Sequence, residues 1–193
     1  MRLLAFACLS LTAFLIAESQ ALAAAAGAAA STMRLTSTSM ADAKSMVMEQ
    51  VLNGFGCTGG NVSPDVKWTN APAATKSFAL TLYDPDAPTG SGWWHWVVVD
   101  IPATKSELAK GAGKSGTVAV AGGGRQTRTD FGAPGYGGPC PPMGDKPHRY
   151  VLTLYALDVD KLDVPDDASG ALVGFNLHAH ALSQASMTAQ YGR

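Results

Sequence analysis

The chain contains 193 residues, of which 47% are hydrophobic, and its formal net charge at pH 7 is −1. This length and apolar content suit a single domain with a buried core. A charge so close to zero argues against nucleic acids as partners and does not favour an anionic membrane surface.

The N-terminus has the pattern of a secretory signal peptide. Met1-Arg2 is positively charged, the run from Leu3 to Ile16 is mostly apolar, and Ala21-Leu22-Ala23 matches a small-residue cleavage site. The apolar run is shorter than the about 20 residues that a membrane-spanning helix needs. A retained membrane anchor is the alternative that the sequence leaves open.

We therefore predict a signal peptide over residues 1–23, an Ala-rich flexible segment over 24–32 and one domain over 33–193. Export would place the mature protein in the periplasm or outside the cell, with no integral membrane association after cleavage. It would also leave Cys57 and Cys140 as the two cysteines of the mature chain. An even pair in an oxidising compartment favours a disulfide, with two buried free thiols as the alternative.

The first part of the domain and its glycine-rich middle give weak local signals. Residues 33–40 alternate enough for an edge strand, whereas 41–52 suit either a short helix or an extended segment. We expect one or two helical turns over 103–110 and a short strand over 117–120. Gly111 to Ser115 lacks the spacing of a phosphate-binding loop, so a flexible surface loop is expected there.

Two strong strands flank an acidic turn in the centre of the chain. Phe78 to Tyr83 is largely apolar on both of its alternating faces, which indicates an interior strand. After the turn, Trp96 is followed by three β-branched valines that end at Val99, and this run also indicates an interior strand. If the two strands pair as neighbours, Asp84 and His95 lie close together at one end of the sheet.

The last part of the chain contains one more strong strand and a helix candidate. Tyr150 to Leu157 has the clearest strand pattern, and the alanine-rich stretch 171–189 is the best candidate for a helix. Strands therefore dominate. The predicted fold class is mainly β, a β-sandwich with an added C-terminal helix.

Two histidines begin strong strands, and each has an aromatic residue two positions away. The pairs are Trp93 with His95 and His148 with Tyr150, and a spacing of two places each pair on one face of its strand. A single histidine at a strand start is more often structural, but two with the same aromatic partnering favour a binding site. The Gly- and Pro-rich residues 130–142 are expected to form a stiff wall beside it, with a plain connecting loop as the alternative.

A metal site is the weaker interpretation of these residues. Asp84 and Asp86 could join the histidines as ligands, but the prolines around them make a rigid turn whose aspartates are expected to cap backbone donors. His178 and His180 would point to different sides of a helix. We therefore predict neither a metal nor another cofactor.

Several motifs, in the order in which they occur, make the sequence resemble a known family. They are Cys57-Thr58-Gly59-Gly60-Asn61-Val62-Ser63-Pro64, Asp84-Pro85-Asp86-Ala87-Pro88, Gly92-Trp93-Trp94-His95-Trp96, Gly138-Pro139-Cys140-Pro141-Pro142 and His148-Arg149-Tyr150. The sequence resembles the phosphatidylethanolamine-binding protein (PEBP) family, in particular its bacterial YbhB/YbcL-like branch, which is similar to Raf kinase inhibitor protein. The resemblance extends over nearly the whole predicted domain.

The resemblance implies a PEBP-like β-sandwich of two antiparallel sheets, with a small anion-accepting pocket at one end. It also implies binding of phosphate-type anions or phospholipid headgroups, and some family members inhibit kinases or serine proteases. The candidate ligand-binding residues are Asp84, Asp86, Pro88, Trp93, His95, Pro141, Pro142, His148 and Tyr150.

The leading hypothesis is an exported, non-enzymatic binding protein for phosphorylated or other small anionic ligands, which could also modulate a partner protein. Imidazole and phenol groups can donate hydrogen bonds to an anion, whereas Asp84 would repel it and is expected to orient a histidine. Because unperturbed histidine is mostly neutral above about pH 7, anion affinity is expected to weaken there.

Two alternatives stay open at this point. One is a serine protease inhibitor, which rests on the resemblance alone. The other is a hydrolase in which Cys140 is the nucleophile, His148 is the base and Asp84 orients the base. A disulfide at Cys140 would remove that nucleophile.

Overall fold

The computed structural model describes residues 32–193. The predicted signal peptide (1–23) and all but the last residue of the predicted Ala-rich segment (24–32) lie outside the described residues. Within 32–193 the chain forms ten strands and one helix. In chain order these are β1 (Arg34–Thr36), β2 (Asn53–Gly54), β3 (Cys57–Thr58), β4 (Val66–Thr69), β5 (Ser77–Asp84), β6 (Trp93–Pro102), β7 (Glu107–Leu108), β8 (Arg125–Gln126), β9 (His148–Leu157), α1 (Gly170–His180) and β10 (Ala181–Tyr191).

The larger sheet contains the strong strands of the sequence. Its strands run antiparallel in the order β10-β9-β5-β6-β8. β5 lies between β9 and β6, and its residues from Phe78 to Leu82 are all buried. The prediction of an interior strand is confirmed, because a strand covered on both faces needs apolar side chains at nearly every position.

The smaller sheet packs against one face of the larger sheet. Its antiparallel strands lie in the order β1-β4-β7, so that β1 is an edge strand as predicted. Val66 and Trp68 of β4 share a buried cluster with Phe78 and Leu80 of β5, and the rings of Trp68 and Phe78 lie 5.2 Å apart. Burial of each such side chain contributes about 1.5–3 kcal/mol. The predicted sandwich of two antiparallel sheets is confirmed.

Helix α1 covers the other face of the larger sheet. It begins after Ser169, whose hydroxyl accepts a hydrogen bond from the N–H of Leu172 at 3.2 Å. Val173 and Leu177 lie one turn apart and are buried in a cluster with side chains of β5 and β6. Among the residues that the structure describes, no helix is long and apolar enough to cross a membrane.

The helix predicted over 171–189 is correct only in its first half. The helix ends at His180, and the rest of this stretch belongs to β10. β10 pairs with β9 along nearly its whole length. This ladder of backbone hydrogen bonds outweighs the helical preference of the alanines.

Two smaller predictions are also wrong. Residues 103–110 form a turn followed by β7 instead of helical turns, because β7 pairs with β4. Residues 117–120 form a loop with one isolated bridge, from Ala119 to Arg125, and the short strand at this edge is β8. Residues 41–52, for which helix and extended chain were both open, contain turns and no helix.

The glycine-rich residues 111–115 form a loop, but part of this loop is buried instead of lying on the surface. The N–H of Gly113 donates to the hydroxyl of Ser63 at 2.9 Å. A Cβ atom on Gly113 would lie 2.6 Å from the ring of Trp96. The glycine here allows close packing against the core.

A loop segment lies along one edge of the larger sheet. The N–H of Ala43 donates to the carbonyl of Thr188 and the N–H of Met46 to the carbonyl of Gln190, each at 2.8 Å. Residues 43–46 therefore cover the outer edge of β10 at residues 188–190. At the opposite edge, β8 has only two residues.

Candidate functional site

A cavity of about 210 Å³ opens at one end of the larger sheet. β5 ends at Asp84, whereas β6 begins at Trp93 and β9 begins at His148, so three neighbouring antiparallel strands bring these residues to the same end. Nε2 of His95 lies 4.0 Å from Oδ2 of Asp84. The predicted proximity of these two residues is confirmed.

Eight of the nine candidate ligand-binding residues line this cavity, and the exception is Asp86. The Asp86 carboxylate binds Arg149 outside the cavity, with Oδ1 2.7 Å from Nη2. Hydrogen bonds from Arg149 lower the pKa of Asp86 to about 2.

The role of the eight candidate residues that do line the cavity stays a prediction. The complete lining consists of Leu52, Phe55, Asp84, Ala87, Pro88, Thr89, Trp93, His95, Phe131, Cys140, Pro141, Pro142, His148 and Tyr150.

Asp84 and His148 form a buried pair at the floor of the cavity. Nδ1 of His148 donates to Oδ2 of Asp84 at 2.8 Å, and both residues are less than 5% exposed. The other oxygen, Oδ1, accepts the N–H of Asp86 at 2.8 Å, which is the expected capping of a turn by an aspartate. Because the carboxylate holds a proton on Nδ1 of His148, Nε2 of the neutral ring is an acceptor. It lies 3.4 Å from Oδ2 of Asp145, to which it can donate only when the ring is protonated on both nitrogens.

His95 is held by the backbone of the loop that faces it. Its Nδ1 donates to the carbonyl of Gly137 at 2.7 Å, and the N–H of Gly137 donates to the carbonyl of His95 at 2.9 Å. Burial lowers the pKa of His95, while the carbonyls of Gly137 and Gly138 and the charge of Asp84 oppose this shift. In its neutral form, His95 therefore carries its proton on Nδ1 and has an acceptor at Nε2.

Tyr150 lies between these groups with an unpaired hydroxyl. The residue is fully buried, and its hydroxyl has no hydrogen-bond partner within the part of the chain that the structure describes. Burial and the charge of Asp84 raise the pKa of Tyr150, so the phenol remains protonated and able to donate. Since a buried polar group without a partner costs about 1–3 kcal/mol, an acceptor at this hydroxyl would be stabilising.

Phe131 forms an aromatic wall that the sequence analysis did not identify as part of the site. Its ring centroid lies 5.4 Å from those of Trp93 and His95 and 5.8 Å from that of Phe55. The residue lies within the segment expected to form a wall, but a single aromatic among glycines has no periodicity that would indicate its direction. The other residues missed by sequence reasoning come from loops and turns, and they are Leu52, Phe55, Ala87 and Thr89.

Residues 137–142 form an adjoining wall, with Gly137 directly against the ring of Phe131, and their backbone is fixed at several points. The N–H of Leu52 donates to the carbonyl of Pro139 at 3.1 Å. Nε of Arg193 donates to the carbonyl of Pro141 at 2.7 Å. These bonds favour the expected stiff wall over a plain connecting loop.

Cys57 and Cys140 form a disulfide, as predicted, which links β3 to this wall. Because the sulfur of Cys140 is bonded to that of Cys57, it supplies no thiolate, and the hydrolase hypothesis with Cys140 as nucleophile is wrong for this structure. Within residues 32–193, no group of three or more histidine, cysteine, aspartate or glutamate side chains is placed to hold a metal ion.

Comparison with known proteins agrees with this architecture. The family model described as phosphatidylethanolamine-binding protein matches residues 39–192. The Escherichia coli protein YbhB is 53% identical over 159 residues, which are 82% of this chain and 99% of YbhB. The solved structure of E. coli YbcL, described as a new member of the mammalian PEBP family, superposes with a TM-score of 0.80 at 47% identity, covering 83% of this chain and 98% of YbcL.

A more distant relative is LppC of Mycobacterium tuberculosis, whose name classes it as a lipoprotein. It is 37% identical over 132 residues, which are 68% of this chain and 58% of LppC. The match of the family model extends over most of the domain, and the identity with YbhB extends over nearly all of that protein. The chain therefore belongs to the phosphatidylethanolamine-binding protein family.

Proposed function

We propose that this protein binds small phosphate-bearing ligands, of the size of a phospholipid headgroup, in the cavity at the end of the larger sheet. The observation that supports this most directly is the convergence of His95, His148 and the unpaired hydroxyl of Tyr150 on one small cavity. Phosphate oxygens are acceptors: the hydroxyl of Tyr150 can donate to one, and each histidine can donate from Nε2 when its ring is protonated.

The size of the cavity supports a headgroup rather than a larger ligand. Pockets for drug-sized molecules are typically about 300–1,000 Å³, whereas this cavity has about 210 Å³. Its walls include Pro88, Trp93 and Phe131, which offer apolar surface to a short carbon chain. The polar groups at the floor would take the phosphate and the walls the alkyl part.

The charge of Asp84 is compatible with an anion because the histidines can take up a proton. Asp84 already accepts a hydrogen bond from His148, which offsets part of its negative charge. An anion next to His95 would favour the charged imidazolium and raise the pKa that burial lowers. We therefore expect binding to be coupled to protonation of the site.

Calorimetric titration of the purified protein with phosphate and with O-phosphorylethanolamine tests this function. We expect saturable binding that His95→Ala and His148→Ala each abolish while the circular dichroism spectrum is unchanged. His178→Ala, at an exposed position on α1, is the matched control and should bind normally. Absence of binding to the wild-type protein at every pH would contradict the proposal.

We also propose that the ligand is bound without chemical conversion. With Cys140 in a disulfide, the site lacks the nucleophile of the hydrolase hypothesis. Phosphorus NMR should show O-phosphorylethanolamine unchanged after long incubation with the protein. Release of free phosphate that depends on His148 would instead identify an enzyme.

We further propose that the protein is exported to the cell envelope or beyond. The signal-peptide pattern of residues 1–23 supports this, as does a disulfide, which persists in oxidising compartments. The lipoprotein name of LppC is consistent with an envelope location. Mass spectrometry of the N-terminus after cell fractionation is the test: cleavage near Ala23 is expected, and an uncleaved chain in the cytoplasm would contradict export.

A further inference from the structure

Asn61 does not line the cavity, but its side chain holds the wall that contacts His95. Oδ1 of Asn61 accepts the N–H of Gly138 at 2.8 Å, and its Nδ2 donates to the carbonyl of Tyr136 at 3.2 Å. These two bonds lie on either side of Gly137 in the chain. The carbonyl of Gly137 is the group that accepts the Nδ1 proton of His95 at 2.7 Å.

An asparagine is well suited to this position for two reasons. The pair of bonds requires one acceptor and one donor on the same short side chain, and an amide provides both. In addition, the backbone of Asn61 has a positive φ of 52°, a conformation that asparagine tolerates better than most residues.

The wall has little freedom to compensate for the loss of these bonds. A Cβ atom on Gly138 would collide with the carbonyl oxygen of Gln50, so the two backbones are in close contact. The same carbonyl accepts the hydroxyl of Tyr136 at 2.8 Å. These contacts hold Tyr136 and the backbone of Gly138 in place, and the hydroxyl of Ser115 also donates to the Tyr136 carbonyl. The Gly137–Gly138 peptide group has its carbonyl bonded to His95 and its N–H bonded to Asn61, so its orientation depends on Asn61.

We propose that Asn61 is a positioning residue that sets the tautomer of His95 through Gly137. By holding the Gly137 carbonyl toward the ring, it keeps the proton on Nδ1 and leaves Nε2, the nitrogen nearest Asp84, as the acceptor of the neutral ring. When the ring is protonated, Nε2 becomes a donor. The inference rests on the proposed function for its effect on ligand affinity, but the tautomer itself exists in the free protein.

Nitrogen-15 NMR of the histidine ring at pH 8 tests this proposal in the purified protein. In the wild type, His95 should carry its proton on Nδ1. Asn61→Gly keeps the left-handed backbone accessible but removes the amide, and it should shift most of the His95 population to the Nε2-protonated form. Asn61→Asp keeps the acceptor for the N–H of Gly138 but loses the donor to the Tyr136 carbonyl, and it should retain more of the wild-type tautomer than Asn61→Gly.

Asn70→Gly is the matched control, because Asn70 also has a positive φ, of 61°, and is exposed outside the cavity lining. It should leave the tautomer unchanged. If Asn61→Gly does not fold, Asn61→Ser can replace it. The serine side chain is too short to make both hydrogen bonds, so it should give the same shift to the Nε2-protonated form. A folded Asn61→Gly or Asn61→Ser protein with the wild-type tautomer would overturn the proposal, as would an equal shift in Asn70→Gly.

Titration with inorganic phosphate separates this inference from the proposed function. At pH 8 we expect Asn61→Gly to tighten phosphate binding by up to about tenfold, because the Nε2–H of the shifted tautomer can donate to a phosphate oxygen, whereas the neutral wild-type ring has only an acceptor there. If the wild type does not bind phosphate but the tautomer changes as expected, the positioning role stands and the proposed function fails. If phosphate binds equally to both proteins and the tautomer does not change, the positioning role fails and the proposed function stands.

Discussion

His148 donates its Nδ1 proton to Oδ2 of Asp84 at 2.8 Å, in a pair that is almost completely buried. Asp84→Ala would leave the imidazole and the N–H of Asp86 without their acceptor. Because removing one member of a buried pair leaves the other member without a hydrogen-bond partner, we expect the free energy of unfolding at pH 7 to fall by about 3 kcal/mol. Urea unfolding monitored by tryptophan fluorescence measures this loss.

Asp86→Ala is the matched comparison, since both aspartates belong to the same acidic turn. Its carboxylate pairs with the exposed side chain of Arg149 and accepts the N–H of that residue at 2.8 Å, but solvent screens this pair far more than the buried pair of Asp84 and His148. The loss should therefore be much smaller than for Asp84→Ala. Equal losses for the two variants would contradict the difference in burial described above.

The pH dependence of anion binding should follow the lowered pKa of His95. Because binding favours the charged ring, a proton is taken up, and affinity should fall as the pH rises above the pKa of free His95. Burial places that pKa below the ordinary 6.5, so the fall should begin at lower pH than unperturbed histidine predicts. Calorimetry from pH 5 to 8 in buffers of different ionisation enthalpy should show proton uptake.

Glycerophosphoethanolamine is the appropriate ligand for this measurement, because a phosphodiester does not titrate between pH 5 and 8. His178→Ala should show the same proton uptake as the wild type. A constant affinity across the range, without proton exchange, would mean that the histidines do not change charge on binding.

The Cys57–Cys140 disulfide should contribute substantially to stability. The two residues are 83 positions apart, and closing a loop of this length stabilises by about 4 kcal/mol in the chain-entropy description. We expect the double variant Cys57→Ser, Cys140→Ser to lose about this much in urea unfolding. The reduced wild-type protein should lose a similar amount of unfolding free energy. An unchanged unfolding midpoint in either case would be evidence against a stabilising Cys57–Cys140 disulfide.

Acid should weaken the contact between Asp65 and the segment after β1. Burial alone would raise the pKa of Asp65, but hydrogen bonds from Ser39 and Thr38 outweigh it and lower the pKa to about 2. A lowered pKa in the folded state stabilises above the unfolded value of about 3.8, and this contribution is lost as the pH falls toward 2. Asp65→Asn should therefore lower the melting temperature at pH 5 more than at pH 2.5.

The central part of the fold could be predicted because burial on both faces leaves a strong sequence signal. Phe78 to Tyr83 and Tyr150 to Leu157 are apolar on both alternating faces, and both are central strands. The proximity of Asp84 and His95 could be predicted from the same strand pattern. Asp84 and His95 belong to neighbouring strands joined by a short turn, so their proximity follows from local chain order.

Features that depend on distant parts of the chain could not be predicted in this way. The alanines of residues 181–189 favour a helix in isolation, but in the structure this stretch is part of β10, where Met187 and Ala189 are buried and alternate with less buried residues. Phe131 and Asn61 reach the site through loops whose course no local pattern specifies. Asp86 was expected in the cavity, but Arg149 holds it outside.

The covering of β10 by residues 43–46 has a consequence for self-association. A sheet with free edges can recruit strands from other molecules, and short edge strands or covering loops prevent this. Here residues 43–46 cover one edge at residues 188–190, and the other edge ends in the two residues of β8. Both features reduce the length of free backbone through which copies of the larger sheet could pair edge to edge.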